Sequence, residues 1–218
     1  MSKVMRPERP ALSREYILDR ALGLVDRDGI EAFTFRKLAL EIGADPMAAY
    51  YYFPNKAALF DGIVEAIYLE VAPSASFSAD DSSVPPRDRI LTAARSMRCA
   101  FLRHPRALPL VATRPASTPR MAVLVEAFLG LLAEAGIGGA RALDAITCIS
   151  VYTIGHALAQ AGEPAGGGTP AGVEGLLQEA DRYPRLSAAA AHFADYDPDR
   201  QFDLGLAALV DGLLGAGD

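Results

Sequence analysis

Thiol and imidazole chemistry needs few residues and definite spacing, so it can be tested directly on a sequence. The 218-residue chain has two cysteines, Cys99 and Cys148, and three histidines, His104, His156 and His192, and no two of the five lie within one helical turn. A nucleophile–base pair or a four-ligand zinc site has no basis here. Both cysteines sit among apolar residues and read as small buried thiols. His104, just before Pro105, reads as a structural cap, since no partner lies at helical spacing. The Gly166–Gly168 run lacks the preceding strand and following Lys-Ser/Thr of a phosphate cradle, and reads as part of a Gly162–Gly172 loop. No enzyme, metal or cofactor chemistry follows from these residues.

The chemistry that does emerge is recognition of a duplex. Residues 34–56, TFRKLALEIGADPMAAYYYFPNK, spell two short helices with glycine at the corner. In such a unit the first helix braces while the second enters the major groove, which is about one helix wide. Leu38, Ala39 and Ile42 supply the brace, and Gly43 permits the sharp turn. Met47, Ala48, Tyr51 and Tyr52 are left outward on the second helix, and Lys56 offers a cation to a phosphate. The tyrosines have a second reading, as an aromatic cluster that packs the unit together. Arg6 and Arg9 precede the first helix in a proline-broken arm, readable as a phosphate-tracking tail or as a solvated one.

Helical periodicity positions this unit and continues beyond it, with no convincing strand. Ser13 caps a helix whose apolar face is Ile17, Ala21, Leu24 and Val25, stopped at Asp28-Gly29. Thr34 caps the next, Asp45-Pro46 starts the third, and Pro54 ends it near Phe53. Asn55 caps a fourth, with Leu59, Ile63, Ala66 and Ile67 on one face, running to about Val71. A Pro/Ser/Ala/Asp-rich linker follows over 72–87. Helices then resume at Ile90–Phe101, Met121–Leu132, 140–161 and 202–213. Residues 1–60 carry net charge +1 and residues 61–218 carry −7, a small polyanion-tolerant unit on an acidic body. The most membrane-like run, Ala145–Ala161, is slightly short for a span and reads as a buried helix. With no apolar leader segment, the chain reads as soluble and cytoplasmic, with no membrane partner.

The stretch from Leu12 to Val71 resembles the DNA-binding domain of TetR-type transcriptional regulators. The likeness rests on "TFRKLALEIG", "DPMAAYYYF" and "PNKAALFDGI". Residues 86–215, with "HPRALPLVATRP" and a final "FDLGLAALVDGL", resemble the C-terminal domain of the tetracycline-repressor subfamily. The resemblance implies an all-α chain, with a three-helix helix-turn-helix domain over 1–60 (arm 1–11) and a larger helical bundle over 61–218 for ligand binding and dimerisation. It implies contacts to double-stranded, palindromic operator DNA from Thr34, Arg36, Pro46, Met47, Ala48, Tyr50, Tyr51, Tyr52 and Lys56. Where the family often has Gln, Ser or Thr, this chain has Pro46, Met47 and Ala48, so base hydrogen bonding from the helix start is sparse.

It also implies a homodimer through 140–161 and 200–216, whose apolar circumference exceeds what one protomer covers, with Ile154 and Leu209 as interface positions. A small-molecule effector is expected in a cavity bounded by 55–71, 105–115 and 140–161, and lined by Phe101, Leu110, Met121, Phe128, Tyr152 and His156. Ala159 is expected to face the same space. The chain departs from the tetracycline–magnesium sensor: Leu110 stands at the histidine position and Ala159 at the acidic one. Arg114 reads as an anion anchor or as a cap on a helix C-terminus. Tyr152, His156 and Gln160, at i, i+4 and i+8, line either the pocket or the dimer seam. A regulator without a small-molecule ligand, responsive to a partner or acting as an activator, is the alternative.

Overall fold

The computed structural model describes residues 12–71, 83–114, 118–162, 182–190, 192 and 195–215. All regular structure among them is helical. The order is α1 (Arg14–Asp28), α2 (Phe35–Ile42), α3 (Pro46–Tyr52), α4 (Lys56–Leu69), α5 (Pro86–Arg103), a 3₁₀ turn (Pro105–Ala107), α6 (Leu108–Thr113), α7 (Pro119–Glu134), α8 (Gly139–Ala161), α9 (Pro184–Ala190) and α10 (Pro198–Gly215). The arm with Arg6 and Arg9, the Gly166–Gly168 run and most of the 72–87 linker lie outside the described residues.

The helix starts follow from side chains that satisfy the orphan N–H groups of the first turn. Ser13 Oγ accepts from the Tyr16 N–H at 3.1 Å, Thr34 Oγ1 from Lys37 at 3.2 Å, Asp45 Oδ1 from Met47 at 2.8 Å and Asn55 Oδ1 from Ala58 at 2.8 Å. At the corner between α2 and α3, Gly43 has φ 65°, and its N–H returns to the end of α2. Helix α9 has no counterpart in the sequence reading. It buries none of its residues, so it has no apolar stripe to signal it.

Two apolar clusters hold the fold. The first joins Ile17, Leu38, Phe53 and Ile63 of the N-terminal unit to Phe101, Leu108 and Val111 of the larger bundle. A boundary at 60/61 therefore falls inside α4, where Leu59, Ile63 and Ile67 sit in this shared core. The second cluster, with Ile90, Phe128, Leu131, Ile149, Phe202 and Leu206, fills the bundle of α5, α7, α8 and α10. At its edge α10 approaches α8 closely, and a Cβ on Gly205 would run into Tyr152 Oη. Cys99 and Cys148 are both exposed, contrary to the buried reading. Each takes a surface position on its helix, and apolar sequence neighbours on a helix turn to other faces.

Candidate nucleic-acid interface and effector cavity

Helix α3 buries only Ala49, and presents most of its remaining side chains at the surface beside α2. Pro46, Met47 and Tyr51 are exposed, Tyr51 at 85%, and Ala48 is half-buried. Arg36 is exposed on the first turn of α2, next to the cap Thr34. The three tyrosines separate. Tyr50 stacks on Phe35 with centroids 4.2 Å apart and planes within 18°. Tyr52 turns inward, and its hydroxyl donates to the Leu12 carbonyl at 2.7 Å. That hydroxyl is committed to the chain's own backbone and is turned away from the surface that Tyr51 presents. Tyr51 alone extends its ring fully into solvent, edge-on to Tyr52.

Lys56 opens α4, and its ammonium folds back over the turn between α1 and α2. It donates to the carbonyls of Phe33 at 3.2 Å and Ile30 at 3.4 Å, and lies over the rings of Phe33 and Phe60. One turn further along α4, Asp61 accepts from Arg114 Nη1 at 2.5 Å, while the same guanidinium donates to the Ala57 carbonyl at 3.3 Å. Arg114 thus ties the end of α6 to the first half of α4. This resolves its two readings in favour of a structural tie, to a helix flank in place of a C-terminus.

The far end of α4 meets an apolar cavity of about 130 Å³. Its walls are Tyr68 and Val71 from α4 and the residue beyond its end, Ala93, Ala94 and Met97 from α5, Met121, Leu124, Val125 and Phe128 from α7, and Ile146, Ile149 and Ser150 from α8. Of the six lining residues expected from sequence, Met121 and Phe128 are there. Phe101 and Leu110 are buried in the core shared with the N-terminal unit. The third wall comes from α5 and α7, and residues 105–114 of the expected 105–115 segment pack elsewhere. Burial pushes the Tyr68 phenol up to about 12.

Tyr152, His156 and Gln160 do not line this cavity, and each bonds a partner within the chain. The Tyr152 hydroxyl donates to the Phe202 carbonyl at 3.0 Å, and the ring stacks on Phe202. His156 Nε2 lies 3.2 Å from Gln201 Oε1. Burial, and then the charge of Arg98, hold this imidazole below its usual range. Gln160 Oε1 accepts from Arg98 Nη2, a guanidinium that also reaches Asp199 at 2.7 Å and lies 4.8 Å over the Phe202 ring. Arg98 is almost fully buried, and of the three stripe residues Gln160 alone bonds it. Ala159 is exposed and is not in the cavity wall.

One cluster had no sequence signal. His104 Nδ1 lies 2.8 Å from Asp26 Oδ2 on α1, and Nε2 lies 2.9 Å from Glu70 Oε1 at the end of α4. Arg103 adds a two-pronged contact to Glu70, and Arg106 donates to the Arg27 carbonyl. Burial raises the Glu70 carboxyl, but the hydrogen bonds of Arg103 and His104 outweigh it and leave the group below its usual range. This clasp joins α1, α4 and the end of α5, where sequence had only a capping histidine.

Helices α8 and α10 keep apolar side chains on their outer faces: Leu143 and Val151 (64% exposed) on one, Leu204 (74%) on the other. Ile154 and Leu209, expected at an interface, are half-buried against the protomer's own clusters. Helix α8 has the length and apolarity of a membrane span, yet it packs against α5, α6, α7 and α10.

A short brace, a glycine corner and a second helix exposed along its length define a helix-turn-helix DNA-binding transcriptional regulator. The comparisons agree over most of the chain. The family model for bacterial regulatory proteins of the tetR family matches residues 17–63, and that for the tetracyclin repressor-like C-terminal domain matches residues 85–216. The chain belongs to the TetR family. It is 36% identical over 199 residues to the tetracycline repressor protein class A from transposon 1721 of Escherichia coli, covering 90% of this chain and 88% of that one. A crystal structure of a possible TetR family regulator from Streptomyces coelicolor A3(2) superposes with TM-score 0.76 at 30% identity, covering 93% and 99%. ActR of Streptomyces coelicolor, solved in complex with actinorhodin, gives 0.76 at 27% identity, covering 95% and 100%.

Proposed function

We propose that the chain is a homodimeric repressor that holds a palindromic operator and releases it when a small molecule enters the cavity between α4, α5, α7 and α8. The observation that carries this is the course of α4. Its first residue, Lys56, bonds the turn that leads into α2, and its last turn contributes Tyr68 to the cavity wall. A ligand that displaces Tyr68 acts on the same rigid element that seats the reading unit. Half-sites on B-DNA lie about 34–36 Å apart, so a few ångströms of splay between two reading helices breaks simultaneous entry. A 100-fold loss of affinity corresponds to a coupling of about 2.7 kcal/mol.

In this reading Thr34, Arg36, Pro46, Met47, Ala48 and Tyr51 face the groove and its edges, with Lys56 close to a phosphate. Tyr50 and Tyr52 act one step back, by fixing α3 on α2 and on the segment before α1. Apolar side chains at the helix start favour thymine methyls and groove shape. The outer faces of α8 and α10 form the dimer seam, through Leu143, Val151 and Leu204. The protein works on DNA in the cytoplasm and performs no reaction. Selection of duplexes from a randomised pool by the purified protein tests the reading. An enriched palindrome, lost in an Arg36→Ala/Tyr51→Ala variant of unchanged melting temperature, is expected. Enrichment that survives this variant refutes the assigned reading face.

A further inference from the structure

We propose that the cavity receives an uncharged, largely hydrocarbon molecule whose buried end is a single ring bearing a hydrogen-bond acceptor, taken up by the hydroxyls of Tyr68 and Ser150. The inference rests on the cavity being the effector site and adds the chemistry of what enters it. Size is the first argument. The space is about 130 Å³, and an apolar cavity of about 150 Å³ takes up benzene. Met97 and Met121, both in the wall, can shift to admit a substituent because the thioether chain is unbranched and flexible.

The second argument is what the wall leaves unsatisfied. Neither Tyr68 Oη nor Ser150 Oγ has a hydrogen-bond partner among the described residues. Elsewhere on α8 the hydroxyls are spent on the helix itself: Thr147 donates to the Leu143 carbonyl at 2.8 Å and Thr153 to Ile149 at 2.7 Å. Neither hydroxyl is among the buried unpartnered polar atoms of the described residues, so water reaches them in the empty cavity, and an acceptor on a ligand takes that water's place. The Tyr68 phenol, raised by burial, remains a neutral donor. The third argument is charge. Among the described lining residues none is ionic, so a carboxylate, an ammonium or a metal chelate would lose its hydration without gaining a counter-charge.

Three probes of one size test this on the full chain by ligand-observed NMR titration: acetophenone, isopropylbenzene and benzoate. Acetophenone is expected to bind three- to tenfold more tightly than isopropylbenzene, and at least tenfold more tightly than benzoate. Tyr68→Phe and Ser150→Ala should each reduce the ketone preference, and the double variant should abolish it while isopropylbenzene affinity and melting temperature stay unchanged. Val125→Trp, which fills the cavity, should abolish binding of all three. Benzoate binding as tightly as acetophenone, or a ketone preference that persists in the double variant, overturns the proposal. Binding with the expected preference but without effect on operator affinity overturns the effector reading, and leaves the cavity's chemistry standing.

Discussion

Truncating His104 to alanine is expected to destabilise the protein far more than its position after a helix end implies. The imidazole makes two contacts to carboxylates, 2.8 Å to Asp26 and 2.9 Å to Glu70, from a side chain that is 14% exposed. Hydrogen bonds involving charged groups contribute about 1.5–3 kcal/mol each. Glu70 keeps Arg103 and is about a third exposed, so its loss is small. Asp26 fares worse. Its Oδ1 is already buried without a partner, and the truncation removes the partner of Oδ2 as well. The net cost is about 2–3 kcal/mol, which lowers the melting temperature of a chain this long by about 5–10 °C. Thermal and urea unfolding at fixed protomer concentration, for His104→Ala, Asp26→Asn and the double variant, form the cycle. A coupling of about 1–2 kcal/mol is expected between the two sites. Additivity within about 0.5 kcal/mol would refute the view that the clasp is an energetic link between α1 and α5.

Tyr51→Ala should weaken operator binding at least tenfold with an unchanged melting temperature, whereas Tyr52→Phe should lower stability by about 1 kcal/mol through the lost bond to Leu12, as equilibrium unfolding will show. Leu204→Asp or Val151→Asp should yield monomers by light scattering with helical content intact, because these side chains are exposed in the protomer. Ile154→Asp, by contrast, should unfold it. Because the Glu70 carboxyl is held below its usual range, its stabilisation is complete above the ordinary glutamate pKa and is lost as pH falls through the lower folded value. The acid limb of a stability–pH profile should therefore flatten in Glu70→Gln, and an unchanged limb would show that other carboxylates carry it.

The helix starts were legible because a cap is a local device: Ser13, Thr34, Asp45 and Asn55 each act on an N–H two or three residues ahead. The clasp was not, since His104 meets partners 34 and 78 residues away and nothing adjacent marks it. The tyrosines show a finer limit. Neighbours on a helix point about 100° apart, so Tyr51 and Tyr52 must differ in exposure, but a seven-residue helix has too few turns to reveal which faces inward. The cavity posed a third problem. In a chain that is 51% hydrophobic, apolar character alone does not separate wall residues such as Leu124 from core residues such as Phe101. The pocket reading of Tyr152, His156 and Gln160 failed for a related reason. The partners that hold these side chains, Arg98, Gln201 and Phe202, all lie on other helices.

The meeting of Gly205 with Tyr152 constrains the order in which this sequence can change. Alanine is the better helix former by about 1 kcal/mol, so position 205 looks open to improvement. Yet an added methyl runs into the Tyr152 hydroxyl, and meets the ring carbon behind it at 2.8 Å and the next at 3.1 Å. Removing the hydroxyl alone does not clear the way, because phenylalanine leaves the two carbons in place. The ring cannot swing aside cheaply, being stacked on Phe202 and bonded to its carbonyl. A descendant can accept Gly205→Ala only after position 152 has shrunk to something like leucine, which itself opens a void beside Phe202. Each intermediate is less stable than either end of the path, so drift at these two sites proceeds as a pair or not at all.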